Sequence, residues 1–230
     1  MKQFEAGDEV DLLLLAAHSL ELEPLAQALG PELRGRVHDS RVAAVAIGVG
    51  LTEAGAGAAR ALLAHGPRAA LLLGSYGAYP GQPFTPGRLL VPSRICAVDA
   101  GALAGKAAIP AAMTAELEPD VALASALTAA AEPIRRGALA TTLAITTDDE
   151  LAREIALRSG CEGENLEALA VAHACAVAGI PFCALLACTN QVGSQGRTQW
   201  AQHRTLAAQN TAELVLRWLR VCDRWPAPAG

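Results

Sequence analysis

Three polar side chains stand out because each adjoins a segment that is otherwise apolar: Glu21, Glu167 and Asn190. Glu21 follows the first apolar run of the chain, Glu167 begins an apolar helical pattern, and Asn190 ends an apolar strand pattern. A partly desolvated carboxylate can act as a general base. An amide can donate and accept hydrogen bonds, but it cannot deliver a proton as an acid does. These residue types therefore suit base chemistry and hydrogen bonding on a polar ligand.

Two of these side chains belong to one unit, which runs from Glu162 to Gly193. Its pattern predicts a polar lead-in, a helix from about Glu167 to Ala178, a Gly-Ile-Pro break and a strand from Phe182 to about Thr189. Because the helix and the strand are apolar on all sides, we expect both to be buried. Glu167 and Asn190, at the two ends of the unit, are then the places where it meets a ligand.

Apolar runs alternate with helical patterns along the rest of the chain. This alternation predicts an α/β fold, a single three-layer α/β/α domain over residues 1–230 with a central mixed, mostly parallel sheet. Residues 222–230 are predicted to be a frayed tail. The further predicted strands are Val10–Ala17, Val42–Ile47, Ala69–Leu73, Leu89–Val98 and Gly137–Ile145. The further predicted helices are Leu20–Leu29, Thr52–His65, Glu118–Ala131, the segment from Asp148 to Arg158, and a final helix from Arg197 or Thr198 to about Val221.

Glycine-rich segments follow two of the strands and are predicted to be loops at the carboxyl edge of the sheet. The first, Gly48-Val49-Gly50, stops short of a dinucleotide fingerprint because Glu53 stands where the third glycine belongs. The second is Gly74-Ser75-Tyr76-Gly77-Ala78, where turn chemistry alone would also explain the glycines. Residues 101–112 are predicted to be a further loop.

The composition excludes several classes of function. A net charge of −5 gives no electrostatic footprint for nucleic acid or for an anionic membrane. The six cysteines form no CxxC pair and no zinc spacing, which favours reduced thiols in a cytoplasmic protein. The acidic, polar segment MKQFEAGDEV does not have the pattern of a signal peptide.

Four segments with glycine or polar residues at the ends of predicted strands occur in a specific order: HSLELE, GVG, GSYGA, and ENLEA with CTN. Their order and spacing resemble the nucleoside phosphorylase and nucleosidase superfamily, which includes methylthioadenosine/adenosylhomocysteine nucleosidases and futalosine hydrolases. The resemblance implies a phosphorylase/hydrolase-like fold and a purine nucleoside as substrate. It also implies an enzyme that needs no metal and no cofactor, and a homo-oligomer of two or more subunits.

The resemblance also implies roles for particular residues. Glu21 aligns with the family's glutamate that activates the attacking water, and Glu23 is the weaker candidate for that role. Glu167 matches the glutamate that holds the ribose 2′ and 3′ hydroxyls, while Leu166 replaces a methionine beneath the sugar. The other residues expected to bind substrate are Asn165, Thr146 and the ribose-side residues Ser75, Tyr76 and Gly77.

Asn190 distinguishes between subgroups of the family. The adenine-specific nucleosidases have an aspartate here, whereas futalosine hydrolases resemble this chain in having asparagine, followed by Val-Gly, Arg and Trp. The matching residues are Val192, Gly193, Arg197 and Trp200. The resemblance therefore favours hydrolysis of futalosine to hypoxanthine in menaquinone biosynthesis.

Several alternatives stay open at this point. The chain could instead be a purine nucleoside phosphorylase, a methylthioadenosine/adenosylhomocysteine nucleosidase, or a relative that binds nucleosides without turnover. The first loop contains no arginine, which argues against phosphate binding there. Arg197 either pairs with a carboxylate of the substrate or is solvated, His18 either touches ligand or does not, and Trp200 is expected to be a packing residue. His173 is expected to lie in the core.

Overall fold

The computed structural model describes residues 10–130 and 134–221. Within these residues the strands are β1 (Leu12–Ala16), β2 (Arg34–Val37), β3 (Ser40–Ala46), β4 (Ala69–Ala78), β5 (Leu89–Ala97), β6 (Glu116–Leu117), β7 (Arg135–Thr141), β8 (Gly163–Asn165) and β9 (Phe182–Gln191). The helices are α1 (Ala26–Leu29), α2 (Leu51–His65), α3 (Ala100–Leu103), α4 (Val121–Ala130), α5 (Asp149–Ser159), α6 (Ala168–Ala178) and α7 (Gly196–Val221). The predicted tail and Ala131 lie outside the described residues.

All of these strands belong to one mixed sheet, whose central part closes into a ring. β4 pairs in parallel with both β1 and β9, and its last residues pair antiparallel with β8. β8 continues to β7, β7 to β5, and β5 returns to β9 through Leu89 and Leu90. The five strands β4, β8, β7, β5 and β9 therefore form a closed circuit, and β1, β3 and β2 extend the sheet outward from β4.

Helices cover both faces of the sheet, as the three-layer prediction requires. The side chains of β1 alternate between the two faces, so Leu13 and Leu15 join the core beneath α2 and α6, while Leu12 and Leu14 join the core beneath α4 and α7. A smaller third cluster lies beneath α5 and includes Ile155. The predicted fold class is confirmed. Among the described helices, none combines the length and the apolar composition that a membrane span requires.

The predicted helix from Leu20 to Leu29 is wrong over its first half. The structure has two short 3-10 turns, Ser19–Glu21 and Glu23–Leu25, before the four-residue helix α1. Pro24 explains the interruption, because it has no N–H to donate and disfavours helical backbone in the residue before it. The first loop consequently stays close to the sheet edge.

The predicted loop GSYGA is also wrong, because it forms the end of β4. This strand pairs with β9 as far as Ala78, with an irregular register between Tyr76 and Gly77. Asn190 likewise lies within β9 and does not follow it. The glycines here permit close packing: a Cβ at Gly77 would lie 2.8 Å from Nδ2 of Asn190.

The expectation that the helix after Glu167 is buried on all sides is wrong. α6 buries one face, including Val171 and Cys175, but Val177 is 77% exposed and His173 is exposed as well. His173 is therefore not a core residue. An all-apolar sequence need not be buried all round when many of its residues are alanine, since an exposed alanine leaves little apolar area in water.

Candidate active site

A cleft of about 710 Å³ opens at the carboxyl ends of β1, β4 and β9. Ligands are expected at this edge of an open α/β sheet. The first loop, the end of β4, the segment between β8 and α6, the end of β9 and the first turns of α7 all line it. The predicted site residues that the cleft brings together are Glu21, Ser75, Tyr76, Gly77, Asn165, Leu166, Glu167 and Asn190.

Glu21 lies against Gly74 of β4. Its Oε2 accepts a hydrogen bond from the backbone N–H of His18 at 3.1 Å. Gly74 has no side chain to displace the carboxylate, since a Cβ there would lie 3.1 Å from Oε1 of Glu21. Burial raises the pKa of Glu21 to about 7, opposed by backbone N–H groups and reinforced by the negative charge of Glu167. Glu21 is therefore an acid that can take up and release a proton near neutral pH.

Glu167 is buried at the N-terminus of α6 and is held from the loop before α2. Its Oε1 accepts a hydrogen bond from the N–H of Gly50 at 2.8 Å. Burial raises the pKa of Glu167, and the N–H of Gly50 opposes that rise. Gly50 has a φ of 85°, which a residue with a side chain rarely adopts. The GVG segment thus serves to position a carboxylate and does not form a dinucleotide turn.

Asn165 holds the backbone at the start of α6, which carries the Glu167 carboxylate. Its Oδ1 accepts hydrogen bonds from the N–H groups of Glu167 and Ala168, both at 2.8 Å. Its Nδ2 donates to the backbone oxygen of Ser75 at 3.0 Å, which ties the start of α6 to β4. Leu166 is partly exposed and faces the cleft. Asn165 caps α6 through these bonds, a role that the sequence did not suggest.

Asn190 is fixed by its neighbours along β9. Its Oδ1 accepts a hydrogen bond from the Thr189 hydroxyl at 2.8 Å, and its Nδ2 donates to the backbone oxygen of Gln191 at 3.1 Å. The Gln191 carbonyl can only accept, so it sets which side of the amide is the nitrogen. Since an amide nitrogen carries two hydrogens, one of them is left for a ligand in the cleft.

Thr146 is placed differently from the other predicted residues. It is buried and does not line the cleft; its N–H and hydroxyl donate to Glu164 at 3.0 and 2.7 Å. The Tyr79 hydroxyl donates to the same carboxylate at 3.1 Å. Glu164 lines the cleft, and burial raises its pKa. Sequence reasoning missed this network, and the signal for it was a second acid, three residues before Glu167, in the lead-in to the apolar helix.

The first turns of α7 form a wall of the cleft, which the sequence did not reveal in full. Trp200 donates its indole N–H to Oγ of Ser75 at 3.3 Å. The Arg204 guanidinium carbon lies 5.1 Å from the centre of the Trp200 ring. Arg197 also lines the cleft and is exposed. The spacing of Trp200 and Arg204, four residues apart in a helical pattern, could have indicated their contact.

The first loop contributes two more residues to the cleft, His18 and Glu23. Both side chains are exposed, and both line the cleft. Nδ1 of His18 accepts a hydrogen bond from the N–H of Leu20 at 3.2 Å, so this imidazole helps to shape the loop. Within residues 10–130 and 134–221, no group of three or more His, Cys, Asp and Glu side chains is arranged to hold a metal ion.

Residues 6–220 match the family model described as the phosphorylase superfamily. A search of curated proteins gives no significant match. Among solved structures, a 5′-methylthioadenosine/S-adenosylhomocysteine nucleosidase from Neisseria meningitidis, in complex with methylthio-immucillin-A, has a TM-score of 0.81 at 19% identity, covering 92% of this chain and 99% of that one. Futalosine hydrolase of Helicobacter pylori has a TM-score of 0.81 at 16% identity, covering 90% of this chain and 96% of that one. At these identities the structures establish a shared fold.

Proposed function

Since the chain belongs to the phosphorylase superfamily, we propose that it is a hydrolase that cleaves the N-glycosidic bond of a purine nucleoside. The preferred substrate is futalosine, which gives hypoxanthine and dehypoxanthine futalosine in menaquinone biosynthesis. One observation carries the proposal: a single cleft holds Glu21, Glu167 and Asn190, which are far apart in the sequence. Together they supply a base, a partner for hydroxyl groups and a partner for a purine.

Cleavage of a glycosidic bond requires the kinds of group that Glu21 and Glu167 supply. The sugar passes through an oxocarbenium-like transition state, so the site must activate water and stabilise positive charge. Glu21, with its pKa raised to about 7, is a suitable general base. Glu167 accepts hydrogen bonds from the ribose hydroxyls through the oxygen that Gly50 does not hold. Both carboxylates favour the developing cation.

Asn190 supports a 6-oxopurine as the departing base. Its Nδ2 can donate to O6 of hypoxanthine, whereas an aspartate would be needed to protonate N7 of adenine directly. Hypoxanthine delocalises negative charge onto O6 and therefore leaves more readily than adenine. Because the Gln191 carbonyl can only accept, the hydrogen bond from Nδ2 fixes the direction in which the amide presents its donor side.

Hydrolysis is favoured over phosphorolysis by the distribution of arginine. The first loop, which contributes Glu21, contains no arginine. The arginines that line the cleft, Arg197 and Arg204, both lie on α7. Phosphate is usually held by arginine at the position of the nucleophile. The side of the cleft with the general base thus favours neutral water over a phosphate anion.

The experiment is an assay of free base from futalosine, inosine and methylthioadenosine, each with and without phosphate. We expect hypoxanthine from futalosine in the absence of phosphate, with the highest kcat/KM of the three. No hypoxanthine from futalosine would contradict the futalosine assignment, and strict dependence on phosphate would contradict hydrolysis.

A non-catalytic relative would behave differently in the same assay. It would bind a nucleoside, release no base, and bind equally well after Glu21→Gln. In an enzyme, this change leaves binding nearly intact but removes turnover. Calorimetry with inosine, run beside the assay on both proteins, separates the two outcomes.

We also propose that the protein acts as a cytoplasmic homo-oligomer. Val49 and Ile145 lie at the cleft and are 55% and 50% exposed. Apolar side chains beside a cleft are typical of surfaces that another chain covers. Sedimentation velocity should give a mass of two or more subunits, and a monomer at micromolar concentration would contradict the proposal. The five cysteines that the structure describes are free, which accords with a reducing compartment.

A further inference from the structure

Two cysteines, Cys96 and Cys161, lie next to each other outside the cleft. Cys96 is in β5, and Cys161 is in the short link between α5 and β8. Cys161 belongs to the apolar cluster beneath α5, and Cys96 packs against that cluster. The two thiol groups are hydrogen-bonding neighbours. Neither residue lines the cleft, so the groups proposed to cleave the nucleoside do not account for this pair.

A small polar cluster surrounds the two thiols. Sγ of Cys96 lies 3.3 Å from Oε2 of Glu116, and Nη1 of Arg94 donates to the same oxygen at 2.9 Å. Nη2 of Arg94 donates to the backbone oxygen of Ser159 at 3.5 Å. The N–H of Cys161 donates to Oγ of Ser159 at 3.1 Å. Arg94 therefore connects β5 to the end of α5 and brings a positive charge to the pair.

The surroundings favour a thiolate at one of the two positions. The hydrogen bond from Cys96 lowers the pKa of Cys161 to about 7; burial opposes this shift and the charge of Arg94 supports it. The same hydrogen bond raises the pKa of Cys96. Cys96 has a single S–H hydrogen, so a thiolate at Cys161 competes with Glu116 for it. Cys161 is therefore the nucleophile of the pair, and Cys96 is its proton-bearing partner.

The other described cysteines do not share these features. Burial raises the pKa of Cys175 and of Cys183 to about 12, and it also raises the pKa of Cys188. All three side chains are fully buried. Cys96, by contrast, is partly exposed, so small reagents can approach the pair from its side. Cys161 is thus the described cysteine best suited to react near neutral pH.

We propose that Cys96 and Cys161 form a redox site, at which hydrogen peroxide converts two neighbouring thiols into a disulfide that glutathione reduces again. A disulfide that forms transiently is the kind expected in a reducing compartment. This disulfide joins β5 to the link that leads into β8, across the intervening strand β7. The inference does not depend on the substrate of the cleft.

The oxidation proceeds in two steps. The Cys161 thiolate attacks one oxygen of peroxide, so that an S–O bond forms, the O–O bond breaks and hydroxide leaves. That hydroxide takes the proton of Cys96, whose sulfur attacks the sulfenic sulfur; the S–S bond forms and the S–O bond breaks. The second hydroxide takes a proton from solvent. In total, two thiols lose two electrons and two protons, and peroxide becomes two waters. Two glutathione thiols reverse the reaction and become glutathione disulfide.

Site-resolved oxidation of the full chain tests the proposal. The reduced protein is treated with limiting hydrogen peroxide, the remaining thiols are alkylated, and the peptides are identified by mass spectrometry. We expect one disulfide, between Cys96 and Cys161, with two thiols lost for each peroxide consumed and both recovered with glutathione. Cys161 should be oxidised about tenfold or more faster than Cys175 or Cys183, because more of it is thiolate. Equal oxidation of all cysteines, or a disulfide to Cys222 in place of this one, would overturn the proposal.

Variants separate the roles of the two thiols, and circular dichroism checks that each variant folds. Cys96→Ser keeps a hydroxyl donor but cannot form the disulfide, so the sulfenic acid of Cys161 should be captured by dimedone and should advance to a sulfinic acid that glutathione does not reduce. Cys161→Ala should consume peroxide about tenfold more slowly than the wild type. Cys222→Ser, outside the described residues, is the control and should form the same disulfide at the wild-type rate. A Cys161 that stays reduced in Cys96→Ser, or a wild-type rate in Cys161→Ala, would overturn the assignment.

Discussion

Glu21 is the proposed general base, and its ionisation decides the pH range in which it can act. Burial disfavours its charged form, while backbone N–H groups, including that of His18, favour it. Burial outweighs the hydrogen bonds, which places the pKa at about 7. The carboxyl is therefore divided between its two forms at neutral pH, and a small change of environment alters the fraction that can act as a base.

The pH dependence of hydrolysis should report this ionisation. Because a general base must be deprotonated, we expect kcat/KM to fall as pH drops below about 7, in line with the raised pKa of Glu21. Glu21→Gln should lower kcat by about 10²–10⁴-fold and abolish this limb of the profile. Steady-state kinetics from pH 5 to 9 provide the measurement. A wild-type rate that is flat across this range would mean that another group activates the water.

Asn190 should decide which purine leaves. Asn190→Asp supplies an acid where the amide could only hydrogen-bond, so we expect the ratio of kcat/KM for methylthioadenosine to that for futalosine to rise about tenfold or more. Asn190→Ala, which keeps neither group, should slow both substrates. If Asn190→Asp left the ratio unchanged, the side chain would have no part in choosing the base.

The sequence predicted the main polar residues of the cleft but not their supports. Glu21, Glu167 and Asn190 were predicted because each borders a buried element and the motifs occur in a fixed order. The bond from Trp200 to Ser75 and the one from Gly50 to Glu167 join residues from distant parts of the chain. Such pairs depend on how helices and strands pack in three dimensions, which one-dimensional periodicity does not specify.

At the scale of elements, the end of β4 is a closely packed strand segment beside the cleft. It changes register against β9 between Tyr76 and Gly77, and it turns from β1 toward β8. Asn190 packs directly over Gly77 at this point. The sequence was interpreted as a loop because glycine and serine are common in turns. In the fold Gly77 is needed because Asn190 and Val192 lie too close for a side chain.

Gly77→Ala tests this constraint. The new Cβ would lie 2.8 Å from both Nδ2 of Asn190 and Cγ2 of Val192. We expect the free energy of unfolding to fall by about 1–3 kcal/mol. We also expect a lower kcat, because the amide must move. Denaturant unfolding and the futalosine assay measure the two effects.

Gly55→Ala is the matched control for that substitution. Gly55 lies within α2, and a Cβ there would only touch Cβ of Ala170 at an ordinary 3.6 Å. Alanine is preferred to glycine inside a helix, so this change should stabilise the protein by about 0.5–1 kcal/mol. If both glycine variants were equally stable, close packing at Gly77 would not be the constraint.

Short elements account for most differences between the predicted and observed fold. β6 and β8 have two and three residues, too few to show an alternating pattern. β2 exists because the hairpin turn at His38 and Asp39 returns the chain onto β3, and His38 has a φ of 52°. By contrast, β1 and β3 were predicted from apolar runs, and α2, α6 and α7 from longer helical segments, to within a few residues at their ends.

At the scale of the whole molecule, the buried acids link stability to pH. Burial raises the pKa values of Glu21, Glu164 and Glu167, so each binds its proton more tightly in the folded state than in the unfolded state. The stability from this difference is fully present below the unfolded pKa of about 4.5 and is lost as pH rises through the folded pKa, about 7 for Glu21.

We therefore expect Glu21→Gln to be more stable than the wild type at pH 8 and similar to it at pH 5. The gain should be about 1–2 kcal/mol, allowing for the partial exposure of Glu21. Urea unfolding at the two pH values measures it. Glu213→Gln, on the exposed side of α7, is a suitable control that should show no such difference. A destabilised Glu21→Gln at pH 8 would show that the charge is stabilising where it lies.

The closed circuit of strands has a consequence for how this protein can associate. Among the described strands, β2 and β6 form the outer edges of the sheet. β6 is two residues long, and β2 has arginine at Arg34 and Arg36. Short, charged edges resist pairing with strands of another molecule. We therefore expect subunits not to associate by extending the sheet. Assembly would use helices and loops, which can separate without breaking the hydrogen bonds of the sheet.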